Sequence, residues 1–154
     1  MKKAIIFLSL CLCIFAFSAN IFAQKQIEQQ VQGDPILEAD ANHNLEAAQL
    51  YFKTRKAYKA VLLRFEETFA AYPEYSKMDE FLYLAAMSSY YLSENKGKQK
   101  IDLTILSEEE KKKYAPEKLR EDAVAYFSLI VEKYPNSRFK ADAEKTLKEI
   151  QSKK

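Results

Sequence analysis

The chain has 154 residues, with 24 lysines and arginines against 22 acidic residues, two glycines and no tryptophan. That length suits one modest domain, and the near balance of charge excludes the one-sided basic surface that a nucleic acid needs. Few glycines among many Ala, Leu, Glu and Lys favour helix over sheet.

Residues 1–23 read as a secretory signal peptide. Lys2 and Lys3 form its charged start. Ala4 to Phe17 form its apolar core, too short for a transmembrane helix. Ala23 is expected to precede the cut, with Ala19 as a second candidate, so that the mature chain starts at Gln24. An uncleaved N-terminal anchor is the alternative. Losing Lys2 and Lys3 leaves 22 basic residues against 22 acidic ones. Both cysteines, Cys11 and Cys13, lie inside this signal. A cleaved domain would hold no disulfide, thiolate metal site or cysteine nucleophile. Each cysteine follows a leucine within the apolar core, whereas a lipoprotein signal places a small residue just before its cysteine. Membrane association is therefore expected through a partner, or through lipidation of Cys11 or Cys13.

Residues 24–33 are polar and Gln-rich and read as a flexible tether. The domain then spans 34–154. Asp34 is placed to cap a first helix whose first residue is Pro35. That helix is expected to reach about Arg55, with Leu37, Ala41, Leu45, Ala48 and Phe52 as its apolar stripe. Lys56-Ala57-Tyr58 is the turn. A second helix follows to about Tyr72, burying Val61, Leu62, Phe65, Phe69 and Tyr72. Pro73 to Ser76 is a break, with Ser76 as the expected cap of the third helix. The third helix, about Lys77 to Ser93, carries Ala85, Ala86, Ser88 and Ser89. Small residues there suit a helix gripped closely on both sides.

Residues 94–115 read as an insertion. It opens with an exposed loop around Gly97. Ile101 to Leu106 alternates briefly as an extended segment. Ser107 and Glu110 form a capping box ahead of a short polar helix. Pro116 starts a fourth long helix to about Tyr134, burying Leu119, Ala123, Tyr126, Phe127, Ile130 and Val131. Ser137 is the expected cap of a fifth, about Arg138 to Gln151. One face of that helix is rich in Lys and Glu, as a terminal helix needs.

One pattern occurs twice at an offset of 62 residues: Phe65/Phe127, Tyr72/Tyr134 and Pro73/Pro135. Each copy is a helix with an aromatic knob, stopped by proline. Proline cannot continue a helix, and it pushes the residue before it out of the α region. A repeated helix with a repeated stop implies stacked units rather than one irregular core.

These features resemble the tetratricopeptide repeat, in which a helix pair ends at a proline. Phe52, Tyr58, Val61, Phe65 and Pro73 fall at that repeat's spacing. The family period is about 34 residues, and the 94–115 insertion takes up most of the excess. Gln49 stands where the repeat usually has a small residue, and Thr68 where it usually has Ala. The Tyr-Pro endings followed by Ser resemble the BamD-like lipoproteins of outer-membrane β-barrel assembly. The resemblance covers about Asn44 to Ile150. It implies an all-α, tetratricopeptide-like domain of about five helices, or two and a half units, where that family usually has five units.

No catalytic constellation is legible. His43 is the sole histidine, between Asn42 and Asn44, and reads as a solvated side chain rather than a metal ligand. Gly33 and Gly97 build no phosphate loop. Ser88 and Ser89 have no histidine to activate them. Glu108 to Lys113 read as a solvated helix with internal ion pairs. Tyr51, Tyr83 and Tyr90 fall off the core stripes and are the candidate partner-groove residues, since tyrosine suits interfaces. The reading is a periplasmic protein-binding scaffold without cofactor, metal or enzymatic activity. Its expected partners are other envelope proteins, and the resemblance points to the outer-membrane assembly barrel protein. The alternative is a general envelope adaptor of the Tol-Pal and cell-division type. An enzyme is a third and weaker class.

Overall fold

The computed structural model describes residues 34–153; the expected signal, its two cysteines and the tether lie outside them. Helix α1 spans Pro35–Leu50 and runs into a π-turn at Tyr51–Arg55. Next come α2 (Tyr58–Ala71), α3 (Met78–Ser93), a 3-10 turn (Leu103–Ile105), α4 (Glu108–Lys113), α5 (Pro116–Lys133) and α6 (Lys140–Ser152). The described residues are thus all-α, with five long helices and one short one. No described helix is long and apolar enough to cross a membrane.

The core is aromatic. Phe65, Phe81 and Phe127 are essentially inaccessible to solvent. The Phe65 ring meets Phe81 edge-on at 5.6 Å and Tyr126 at 5.0 Å, joining α2, α3 and α5. Burying each such ring stabilises the fold by about 1.5–3 kcal/mol. Helix α3 is the centre: Ala85, Ala86, Ser88 and Ser89 are all at most 1% exposed. The expected small-residue face is therefore gripped on both sides. α3 buries ten residues where α6 buries two, Ala143 and Ile150, so α6 is covered on one side only.

Both proline stops have the same geometry. Tyr72 and Tyr134 leave the helical region, at φ −149° and −122°, as residues before proline must. Their amides still close the last turn, Tyr72 N–H to the Thr68 carbonyl at 2.8 Å and Tyr134 N–H to Ile130 at 3.1 Å. A tight turn follows each, Tyr75 N–H to Tyr72 at 3.2 Å and Ser137 N–H to Tyr134 at 3.0 Å. The 62-residue offset therefore survives the break, and α6 begins 62 residues after α3.

Several local expectations are corrected. Ser76 does not cap α3: its hydroxyl donates to the Glu38 carboxylate, and the residue before the helix is Lys77. Ser137 lies three residues before α6. Its Oγ accepts from Phe139 N–H at 3.1 Å and donates to Asp79 at 2.6 Å. Phe69 is 41% exposed, although its ring stacks on Phe65 at 5.3 Å. Within residues 101–106, Asp102 and Leu106 keep extended backbone angles but the middle does not. Asp102 accepts from Thr104 N–H at 2.9 Å and winds Leu103–Ile105 into a 3-10 turn. The capping box at Ser107 and Glu110 is present as expected.

The insertion folds back on the first helix pair. α3 ends with Asn95 in the left-handed region at φ 53° and Lys96 N–H bonded to the Tyr91 carbonyl at 2.8 Å, a Schellman-type stop. Gly97 then passes the α1–α2 turn so closely that a Cβ there would lie 2.7 Å from the Tyr58 ring. Lys98 N–H donates to the Lys56 carbonyl at 3.0 Å. Farther on, Lys113 pairs with Glu66 at 2.6 Å, and Tyr114 is buried beneath Lys59, whose ammonium lies 4.6 Å from the ring centre.

Candidate functional site

The first helices of the units, α1, α3 and α6, are linked in a row by side chains. Gln49 of α1 donates to Glu80 of α3 at 2.7 Å. Arg138, just before α6, donates to the other Glu80 oxygen at 2.8 Å. Tyr83 of α3 stacks on Phe139 at 4.7 Å and meets Phe127 edge-on at 6.1 Å. The Arg138 guanidinium covers the Phe139 ring at 4.6 Å.

Both departures from the tetratricopeptide pattern have a physical reason here. Gln49 reaches Glu80 where a small residue would leave α1 and α3 joined by packing alone. Thr68, 3% exposed, accepts from Asn44 at 3.1 Å and so ties α2 to α1. A buried hydroxyl is tolerated when its hydrogen bond is made.

The three candidate tyrosines are not equivalent. Tyr83 is half-buried at the α3–α6 contact. Desolvation, with Asp142 as the next cause, raises its phenol above the usual tyrosine range. Tyr51 is half-buried in the π-turn, where its carbonyl accepts from Ala57 N–H at 3.0 Å. Tyr90 lies within the core rather than off it, at 5% exposure. Lys153, just past α6, donates to the Tyr90 hydroxyl at 2.7 Å, and its ammonium lies 5.4 Å from the ring centre. Gln49, Glu80 and Arg138 were not legible as a set, and the unusual Gln49 was their one signal.

The acidic side chains here serve structure. Glu38, Asp79 and Glu80 each accept a hydrogen bond from a break residue or a neighbouring helix. Tyr75 shows the effect of their crowding. Its hydroxyl donates to Asn42 at 2.9 Å, and burial followed by Glu38, Glu80 and Glu46 pushes its pKa up to about 12. Ser88 and Ser89 are buried, and neither hydroxyl has a hydrogen-bond partner among the described residues. His43 is exposed on α1. Among the described residues no cluster of His, Cys, Asp or Glu is placed to hold a metal ion.

The site is thus a row of tied helices with aromatic and amide side chains along it. No curated protein and no solved structure matches the chain. The profile of the YfiO family, described as outer membrane lipoprotein, matches residues 69–153, from the end of α2 through α6. That is more than half of the sequence, and it covers the second proline stop and the ties that α3 makes to α6. The chain belongs to this BamD-like YfiO family of outer membrane lipoproteins.

Proposed function

We propose that the protein is a periplasmic scaffold in outer-membrane β-barrel protein assembly, acting by holding partner proteins rather than by catalysis. The observation that carries the reading is the coincidence of the family match with the α3–α5–α6 stack. Stacked helix pairs that are tied at their breaks present a fixed surface, and a fixed surface lowers the entropy lost when an extended or helical segment docks. Tyr51 and Tyr83 are half-buried rings on the first-helix side and are the proposed anchors there, with Tyr90 supporting the helix from within. Localisation at the envelope follows from the same family reading.

The test is a tagged pull-down from detergent-solubilised envelopes with mass spectrometry of the recovered proteins. Enrichment of the large outer-membrane assembly barrel protein is the expected result. Recovery of cell-wall or division proteins alone would replace the assembly role with that of a general envelope adaptor.

A further inference from the structure

The even charge balance of the whole chain is broken at one end of the bundle. Residues 53–56 and 95–100 hold six cations, Lys53, Arg55, Lys56, Lys96, Lys98 and Lys100, and no acid. The fold brings the two runs together, because Lys98 N–H donates to the Lys56 carbonyl at 3.0 Å. All six residues are exposed, and none has a salt bridge among the described residues. Like charges gathered in this way repel one another and draw an anion from outside. The neighbouring acids are engaged elsewhere. Glu94 pairs with Arg120 at 3.2 Å and approaches Lys153 at 4.0 Å. Asp102 accepts from the Thr104 amide at 2.9 Å and from its hydroxyl at 2.6 Å. Glu117 lines the cleft between α5 and α6, with Ile150 and Gln151.

Beside the second run is a pocket of about 240 Å³, formed by the end of α3, the insertion and the start of α5. Leu92, Ile101 and Leu103 are its apolar side, Asn95 and Gln99 bring amides, and Lys96 is the only charged residue lining it. Small-molecule sites hold about 300–1,000 Å³; this smaller space suits one aliphatic side chain. Its basic edge is fixed in place. Asn95 is left-handed at φ 53°, Lys96 N–H is bonded to the Tyr91 carbonyl, and the Lys100 ammonium donates back to the Asn95 carbonyl. The Lys96 ammonium stands over the Tyr90 and Tyr91 rings at 5.9 and 5.7 Å, so it is positioned by aromatic faces without being neutralised by a carboxylate. A fixed edge lowers the entropy lost on docking. A membrane surface would meet the cations and leave the pocket empty, whereas a polypeptide uses both.

We propose that this end of the bundle is a docking site for an acidic segment of a partner protein, with one leucine or isoleucine seated on Leu92, Ile101 and Leu103 and aspartates or glutamates facing Lys96, Lys98 and Lys100. This rests on the scaffold reading above and names one surface and one partner chemistry for it.

The test uses the full chain, purified from cell envelopes as the cell processes it. It is titrated with a labelled peptide of aspartates and glutamates around one leucine, with its asparagine and glutamine counterpart, and with the acidic peptide carrying serine for leucine. Fluorescence anisotropy reads the affinity. The acidic leucine peptide is expected to bind about tenfold more tightly than either of the others, since charge and pocket contacts together set partner choice. Its affinity should fall as salt rises from about 50 mM to about 500 mM. The exposed double change Lys98→Glu with Lys100→Glu should remove the acidic preference. Lys145→Glu with Lys148→Glu on α6, an equal change in net charge, should leave it intact. Circular dichroism of each variant confirms that the helices are intact. An unchanged preference in the folded Lys98 and Lys100 variant would overturn the proposal, as would equal loss from the α6 variant, which would mark a general charge effect. Equal binding of the leucine and serine peptides would remove the pocket from it. Flotation with phosphatidylglycerol vesicles, lost in the Lys98 and Lys100 variant and joined to no preference among the peptides, would reassign the end to a membrane surface. A pull-down without the assembly barrel protein would leave the peptide result standing, and loss of the acidic preference would leave the scaffold reading standing.

Discussion

Ser137 donates its hydroxyl to Asp79 at 2.6 Å, across 58 residues of sequence, and its neighbour Arg138 reaches Glu80 at 2.8 Å. Sixty-two residues earlier, Tyr75 reaches Asn42 at 2.9 Å and its neighbour Ser76 reaches Glu38. Each break is therefore tied by two consecutive residues to the first helix of its own unit. The acceptors and their places along the first helix differ, but the donor positions repeat. The tie fixes the angle at which the next helix leaves the proline stop, and so fixes the row that the partner surface needs.

Ser137→Ala should lower stability by about 1.5–3 kcal/mol, the range for a hydrogen bond to a charged group. Urea unfolding measures it. A double-mutant cycle with Asp79→Ala should show coupling of at least about 0.5 kcal/mol. Strict additivity would mean that the bond does not form in solution.

Gly97→Ala should cost more than about 1 kcal/mol. The residue sits at φ +100°, and an added Cβ would lie 2.8 Å from the Lys56 carbonyl oxygen as well as against the Tyr58 ring. Hydrogen exchange locates the damage: the Lys98 amide, bonded to Lys56, should lose protection while amides within α6 keep theirs. Equal loss at both would point to global unfolding instead.

Ser88→Ala and Ser89→Ala should each be neutral or stabilising, by up to about 1 kcal/mol, because each removes a buried hydroxyl without a partner. Ser88→Leu should destabilise by about 1–3 kcal/mol, since a site at 0% exposure has no room for added methylenes. Thermal melts order the three variants. A clear loss from both alanine changes would show that the hydroxyls do find partners.

Alkaline titration should reveal late tyrosines. Burial, then Asp122 and Glu66, pushes Tyr126 up to about 12, as burial and three glutamates do for Tyr75. A raised tyrosine pKa means that above pH 10 the unfolded chain has lost protons that the folded chain retains. Stability from these groups is thus unaffected below pH 10 and falls as pH rises toward 12. Tyrosinate absorbance should show a late step near pH 12, and Tyr75→Phe with Tyr126→Phe should remove it. A single step near pH 10 in the folded protein would contradict the burial of both rings.

Much of the fold was legible because its rules are local. Pro73 and Pro135 stop helices through a missing N–H, wherever they sit in space. The spacing of Val61, Leu62 and Phe65 marks one face of a helix without reference to what covers it. The box at Ser107 and Glu110 closes within one turn. These features determined the long helices and the repeat. Tertiary structure alone decided the rest. Phe69 belongs to the same stripe as Phe65, yet it is 41% exposed, because a helix's own periodicity does not say how far its neighbours extend. Tyr90 looked peripheral on its helix, but Lys153 covers it from 63 residues away. Ser76 has the residue type of a helix cap, and the distant Glu38 took its hydroxyl instead, whereas Ser137 donates to Asp79 while its oxygen still accepts from Phe139 N–H. Each of these outcomes depends on groups brought together only by packing, and local periodicity carries no record of them.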